Sequence, residues 1–164
     1  MKKHLKDIFR KSNQEDKSKF KHVLTQNERN YPLDSKFVKE FFNTLNQKDI
    51  CFYPNTVKLK SKICKLYNIE QENLLLTPGS AFAIKTIFET FEVKGNNVIT
   101  SDYFFPMYQV YSDLYQVELR KAKYTGMQLD IDSIIELIDS DTQFIILANP
   151  NSPLGDLYTR EQIK

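Results

Sequence analysis

Apolar residues in this chain recur at helical spacing in some stretches and run together in others, and the two patterns alternate. In "DSKFVKEFFNTL" Phe37, Phe41 and Leu45 stand four apart, a helical stripe that Asp34 can cap. "CFYPNT" ends it, because Pro54 disfavours helical geometry at Tyr53. "VKLKSKICKLYNI" starts a second helix with Leu59, Ile63 and Leu66 inward, lysines outward and Thr56 as cap. "NLLLT" reads as a short buried strand, "PGS" as a turn and "AFAIKTIFETF" as a strongly apolar helix. A turn and strand follow in "GNNVITS", then a helix in "FFPMYQVYSDLYQ" entered through Pro106. "VELRKAKY" alternates like a half-exposed strand, and "LDIDSIIELID" is a short helix capped by Asp130. "TQFIILA" is a buried strand, with Phe144 to Ala148 as its apolar run, and "TREQIK" opens a last helix in which Thr159 and Gln162 have capping-box spacing.

Strands alternating with helices predict an α/β fold, a mostly parallel sheet with flanking helices, preceded by an N-terminal arm. In such a sheet ligands gather beyond the carboxyl ends of the strands. The 164 residues suffice for one core. The net charge of +2 demands neither a nucleic-acid nor a membrane partner. Residues 1–30 form a lysine-rich arm, read as a solvated tail or as a docking arm anchored by Phe9, Phe20, Val23 and Leu24. Two cysteines make no disulfide framework, and Cys64 reads as a small core residue. No signal peptide or bilayer-length apolar run is visible, so a cytoplasmic setting is expected.

Three turns carry candidate chemistry. In "LLLTPGSAFAIKTIF" a run ends at Gly79 and Ser80 and a helix begins at once. The first amides of a helix lack internal partners and carry the positive end of its dipole, which makes a phosphate cradle. Ser80 also reads as an ordinary helix cap. The stretch is neither a Walker loop nor a dinucleotide fingerprint. In "SDYFFPMYQVY" the aromatics offer either core packing or a flat face for a planar ring. "NPNSPLG" is either an ordinary turn or an amide side chain aimed at a ligand oxygen.

In this order, the segments resemble the class I/II aminotransferases of the pyridoxal-phosphate fold-type I superfamily, and within it the histidinol-phosphate aminotransferase branch. "FYPNTVKLKSKICKLYNIEQENLLLTPGSAFAIKTIFETF" is similar to that branch's tyrosine-proline segment, helix and glycine-serine loop. "FFPMYQVY" resembles its aromatic-x-Met-Tyr segment, "LANPNSPLG" its Asn-Pro-Asn-Asn-Pro-Thr-Gly turn, and "LTQNERNYP" its Asn-Glu-Asn-Pro stretch. The resemblance runs over roughly residues 24–164.

It implies pyridoxal 5'-phosphate as cofactor. The backbone at Ser80 and Ala81 would hold the phosphate, Phe105 would stack on the ring, and Asn151 or Ser152 would face the phenolic oxygen. Tyr53 would reach into the neighbouring subunit of a homodimer. The implied reactants are a small-molecule amino donor, an amino acid or amino-phosphate, and a 2-oxo acid acceptor. Departures are Ala81 and Phe82 where the branch has acidic residues, Ser152 where it has asparagine, Leu154 for threonine, and Phe105 for tyrosine. The family's pyridine-nitrogen aspartate, its Schiff-base lysine and its carboxylate-binding arginine fall beyond these 164 residues, while Lys85 and Lys164 stand in other contexts. Residues 31–164 are therefore expected to be the amino-terminal part of the aminotransferase domain, without activity alone and with an unpaired sheet edge that favours aggregation. The alternatives are a decarboxylase of the same fold, a non-catalytic remnant or interaction module, and a Rossmann-type nucleotide binder, which the single-glycine loop fits poorly.

Overall fold

The computed structural model describes residues 8, 16–23, 28–29, 31–91 and 94–164. Of the arm's proposed anchors, Phe9 and Leu24 lie outside the described residues, Phe20 is exposed and Val23 is half-buried. The chain divides into two compact units, the described residues of 12–76 and those of 1–11 and 77–164.

The first unit is helical. After a 3-10 turn at Lys17–Lys19 come α1 (Ser35–Thr44), α2 (Gln47–Cys51) and α3 (Val57–Tyr67). Asp34 caps α1 as expected, its side chain accepting from the Phe37 amide. α2 was not legible as a helix; a capping box of Asn46 and Asp49 forms it. Thr56 occupies the N-cap position of α3 but its side chain caps nothing, and Asn55 Oδ1 accepts the Val57 amide instead. Cys64 is buried, but Leu59 and Leu66 are exposed, so the inward stripe is a correction: only Cys64 and the half-buried Ile63 and Lys60 turn from solvent along α3. The expected strand at Leu74–Leu76 does not form either. A strand's amides need a neighbouring strand; this segment pairs with none of the described strands, and Leu75 is 68% exposed.

The second unit carries α4 (Ser80–Thr90), β1 (Asn97–Ser101), α5 (Met107–Tyr115), β2 (Glu118–Ala122), β3 (Tyr124–Thr125), β4 (Gln128–Leu129), α6 (Ile131–Glu136), β5 (Thr142–Ile145) and α7 (Arg160–Ile163). The sheet is β2-β1-β5, parallel throughout, with Val98 opposite Leu119 and Phe144. Successive residues of a strand face opposite ways. Val98 therefore joins Phe88 of α4, Tyr111 of α5 and Val117 on one face, while Ile99 joins Ala122, Leu129, Ile134 of α6 and Tyr158 on the other. These two clusters make the helix-sheet-helix layering. Asp130 caps α6, and Thr159 with Gln162 forms the expected box on α7. β5 is shorter than the apolar run suggested, and Ile145 is exposed on it, because β5 is a sheet edge. The β3–β4 hairpin was not foreseen. No described helix is long and apolar enough to cross a membrane.

Polar side chains fasten the amino ends of all three strands. Buried Asn97 donates through Nδ2 to Asp139 Oδ1 (2.8 Å) and accepts from Thr142 Oγ1 (2.8 Å). Arg120 of β2 donates to Asp139 Oδ2 (2.5 Å) and to the Leu137 carbonyl (3.0 Å). Hydrogen bonds from Arg120, then from Asn97, hold the Asp139 carboxyl at about 2, below its ordinary 3.8. A carboxylate depressed on folding contributes stability above its unfolded pKa and loses it as pH falls through the folded one. Asp139→Asn should therefore lower the urea midpoint at neutral pH and flatten its decline between pH 3.8 and about 2. A variant that keeps the parent's acid decline would show that Asp139 does not fasten the strands.

Candidate functional site

Gly79 sets the start of α4. It stands at the N-cap with φ 88 and ψ 169, backbone that only glycine adopts freely. Its amide donates to Thr77 O (2.8 Å), and Thr77 Oγ1 donates to Gly79 O (3.1 Å), so the loop closes on itself. The first intrahelical bond runs from Ala83 N–H to Gly79 O (3.2 Å). The amides of Ser80, Ala81 and Phe82 therefore have no acceptor among the described residues, and no side chain caps the helix. Ser80 is the first helical residue, so its reading as the cap does not hold; the cap position is Gly79's. Eleven residues of helix stand behind those amides and place partial positive charge on them.

One turn along, Lys85 is bonded to Glu89 Oε1, which also accepts from Tyr115 (2.6 Å). The bond to Glu89 raises the Lys85 ammonium above its usual range. Lys85 is thus a paired, charged side chain, not a free amine.

α4 is tied to α5 by Tyr111, whose hydroxyl donates to Ala81 O (2.9 Å). Phe105 lies in the turn that enters α5, half-buried, edge-on to Tyr108 with centroids 6.0 Å apart. Tyr103, two residues before it, is where the Asn151 turn arrives. Asn151 is 2% exposed, and its Nδ2 donates to Tyr103 O (2.9 Å) and to Tyr124 OH (2.6 Å). Tyr103 O also accepts from Ser101 Oγ (2.6 Å) at the carboxyl end of β1. Tyr124 in turn donates to Asp156 Oδ2 (2.9 Å) and meets Tyr158 OH at 3.0 Å. Burial of the Tyr158 ring raises its phenol well above the usual range. The turn is closed by Gly155 N–H to Asn151 O (2.6 Å), Asn151 N–H to Asp156 O (3.0 Å) and the Asn149 side chain against the Tyr158 backbone. Ser152 is exposed and hydrogen-bonded to nothing among the described residues.

Ser80 and Ala81 are thus joined to the Phe105 segment through Tyr111, and that segment to the Asn151–Ser152 turn through Tyr103. Tyr53 belongs to the other compact unit, where it is fully exposed. Tyr103, Tyr124, Asp156 and Tyr158 were missed in the sequence. No local signal marks them, because the side-chain bonds that join them, from Asn151 to Tyr103 and Tyr124 and from Tyr124 to Asp156 and Tyr158, span 27 to 48 residues.

A family model for aminotransferase class I and II matches residues 15–164. Histidinol-phosphate aminotransferase of Brachyspira hyodysenteriae is 33% identical over 144 residues, covering 86% of this chain and 39% of that protein. Histidinol-phosphate aminotransferase 1 of Mannheimia succiniciproducens is 28% identical over 142 residues, 85% of this chain and 38% of that protein. The crystal structure of histidinol-phosphate aminotransferase from Sinorhizobium meliloti, in complex with pyridoxal-5'-phosphate, superposes with a TM-score of 0.60 at 19% identity, over 65% of this chain and 29% of that one. That last likeness is one of fold. The chain spans less than half the length of the curated relatives it matches.

No atom stands within 4 Å of a Cβ built on Gly79, so substitution there meets only backbone strain. Gly79→Ala should cost about 1–3 kcal/mol, read by equilibrium unfolding. An unchanged midpoint would mean that the start of α4 is not held in this conformation.

Proposed function

Because this chain belongs to the aminotransferase class I and II family, we propose that it forms the amino-terminal portion of a pyridoxal-phosphate-dependent enzyme. That enzyme transfers an amino group between an amino acid or amino-phosphate and a 2-oxo acid. The observation that carries the reading is the set of free amides at Ser80, Ala81 and Phe82, at the head of a helix tied to the Phe105 segment.

The donor set suits the cofactor. Three amides and the Ser80 hydroxyl have no acceptor among the described residues, and a phosphate dianion is the chemistry such a helix start attracts. Phe105 supplies a flat apolar face, and Ser152 an unengaged hydroxyl for an anionic oxygen. Bound there, pyridoxal phosphate would supply a planar electron sink for bonds at a substrate's amino carbon. In this reading the α4 amides fix one end of the ring system, Phe105 sets its plane and shields one face from water, and the Asn151–Ser152 turn addresses its oxygen. Lys85, paired with Glu89, is left out of the chemistry. Residues 31–164 are the amino-terminal part of the aminotransferase domain, preceded by the basic arm. The fully exposed Tyr53 reaches the neighbouring subunit's site in a homodimer. A cytoplasmic, biosynthetic setting goes with the histidinol-phosphate aminotransferases among the relatives.

Titrating the 164-residue chain with pyridoxal phosphate and with pyridoxal, followed by absorbance and fluorescence, tests the reading. The phosphorylated compound should bind at least tenfold more tightly, since charge-assisted bonds contribute about 1.5–3 kcal/mol each. Phe105→Ala should weaken its binding several-fold, in line with about 0.5–1.5 kcal/mol for an aromatic pair. Equal affinity for the two compounds would refute the phosphate site. Borohydride treatment of the mixture should not fix the cofactor on Lys85.

A further inference from the structure

Side chains alternate along β2, so Leu119 and Lys121 project from one face of the sheet and Arg120 from the other. Leu119 packs into the cluster that α4 and α5 cover. Lys121 stands one pleat further on, close to the carboxyl end of the strand. Its ammonium lies 4.9 Å from the centre of the Phe104 ring. Among the described residues Lys121 is in no ion pair, so the ring is the partner its charge has. Phe104 is stacked with Tyr108, 11° from parallel and with centroids 6.3 Å apart. Tyr108 in turn meets Phe105 edge-on, at 84° and 6.0 Å. Tyr108 is 5% exposed, and its hydroxyl is hydrogen-bonded to nothing among the described residues. A phenol without a hydrogen bond is oriented by packing alone, so the rings beside it decide where it sits. The three rings form one row, from a lysine on the sheet to the aromatic face of the candidate site.

From this we infer that Lys121 is a positioning residue: from the sheet it holds Phe104, and through Phe104 and Tyr108 it holds the plane of Phe105. The inference rests on the reading of Phe105 as the seat of the pyridoxal ring. The row itself does not depend on that reading. An ammonium is attracted to the face of an aromatic ring, and ring pairs prefer the offset and edge-on arrangements of this row. The strand end that carries the lysine is fixed, because Ala122, the next residue, is fully buried and stands opposite Ser101 of β1. The bonds to Tyr103 O anchor the backbone of the turn into α5, and Lys121 anchors its rings. In this role the lysine acts through rings and not on the phosphate, and the two can be told apart.

Four variants of the 164-residue chain test this: Lys121→Met, which keeps the stem and removes the charge, Lys121→Arg, Phe104→Leu, and Lys121→Met combined with Phe104→Leu. Each would be titrated with pyridoxal phosphate and with pyridoxal, well below its melting transition, and the circular dichroism of the bound compound read per molecule bound. Lys121→Met should weaken both compounds by the same factor, roughly two- to fivefold, and reduce that circular dichroism. Lys121→Arg should restore both. Phe104→Leu should do as Lys121→Met does, and the combined variant should be little worse than Phe104→Leu alone, since the lysine then has no ring to hold. Should Phe104→Leu not fold, Lys121→Met and Lys121→Arg still decide. Parent affinities and dichroism in Lys121→Met overturn the inference. So does a weakening confined to pyridoxal phosphate, which would make Lys121 a charge felt by the phosphate, and so do losses that add in full in the combined variant. If the parent chain takes up neither compound, the cofactor reading falls and the seat with it. Near-ultraviolet circular dichroism of the free chain then decides the row, which stands if Lys121→Met reduces the aromatic signal and Lys121→Arg restores it, and falls if Lys121→Met matches the parent.

Discussion

Val98 and Ile99 are neighbours on a strand that is buried at every position, and strand geometry sends them to opposite faces. Each then closes a separate apolar cluster, with α4 and α5 on one side and α6 on the other. Because β1 sits between β2 and β5, its backbone cannot reach water, and its polar residues must be met inside. At the amino end Asn97 answers to Asp139 and Thr142. At the carboxyl end Thr100 donates to Ile146 O (2.8 Å) and Ser101 to Tyr103 O. The strand is thus pinned at both ends, and the loop that leaves it begins from a fixed point.

That fixed point organises the candidate site. Tyr103 O is the first acceptor beyond β1, and it collects the serine of the strand and the asparagine of a turn 48 residues on. Phe105 follows two residues later and α5 directly after, with Tyr111 reaching back to the first turn of α4. A short chain of hydrogen bonds therefore joins a helix start with free amides, an aromatic face and a turn with a free hydroxyl. The charged pair Lys85–Glu89 lies along α4 from this chain, and the carboxylate holds the Lys85 amine in its protonated form.

The sequence revealed most where structure is local. Asp34, Asp130 and the Thr159–Gln162 pair cap the helices they precede, because a cap is satisfied within three residues. The layering followed from alternation of strand and helix. Errors came where the outcome depends on distant neighbours. "NLLLT" has strand composition but pairs with no described strand, and Leu59 and Leu66 follow a helical stripe that no burial accompanies. Asn55 outcompeted Thr56 for the amide of Val57, a contest between adjacent residues that composition cannot settle. Of the candidate site, Ser80, Ala81, Phe105, Asn151 and Ser152 come from motif order. Tyr124 does not, since its partners Asn151, Asp156 and Tyr158 lie 27 or more residues away in the chain.

The most direct test of the central claim is the phosphorus resonance of pyridoxal phosphate in the presence of the chain, followed from pH 5 to 8. Seated on the amides of Ser80, Ala81 and Phe82, the phosphate should stay dianionic and its resonance should stop moving with pH. A resonance that titrates as it does in free solution would contradict the anion site at the head of α4, and with it the function proposed for the chain.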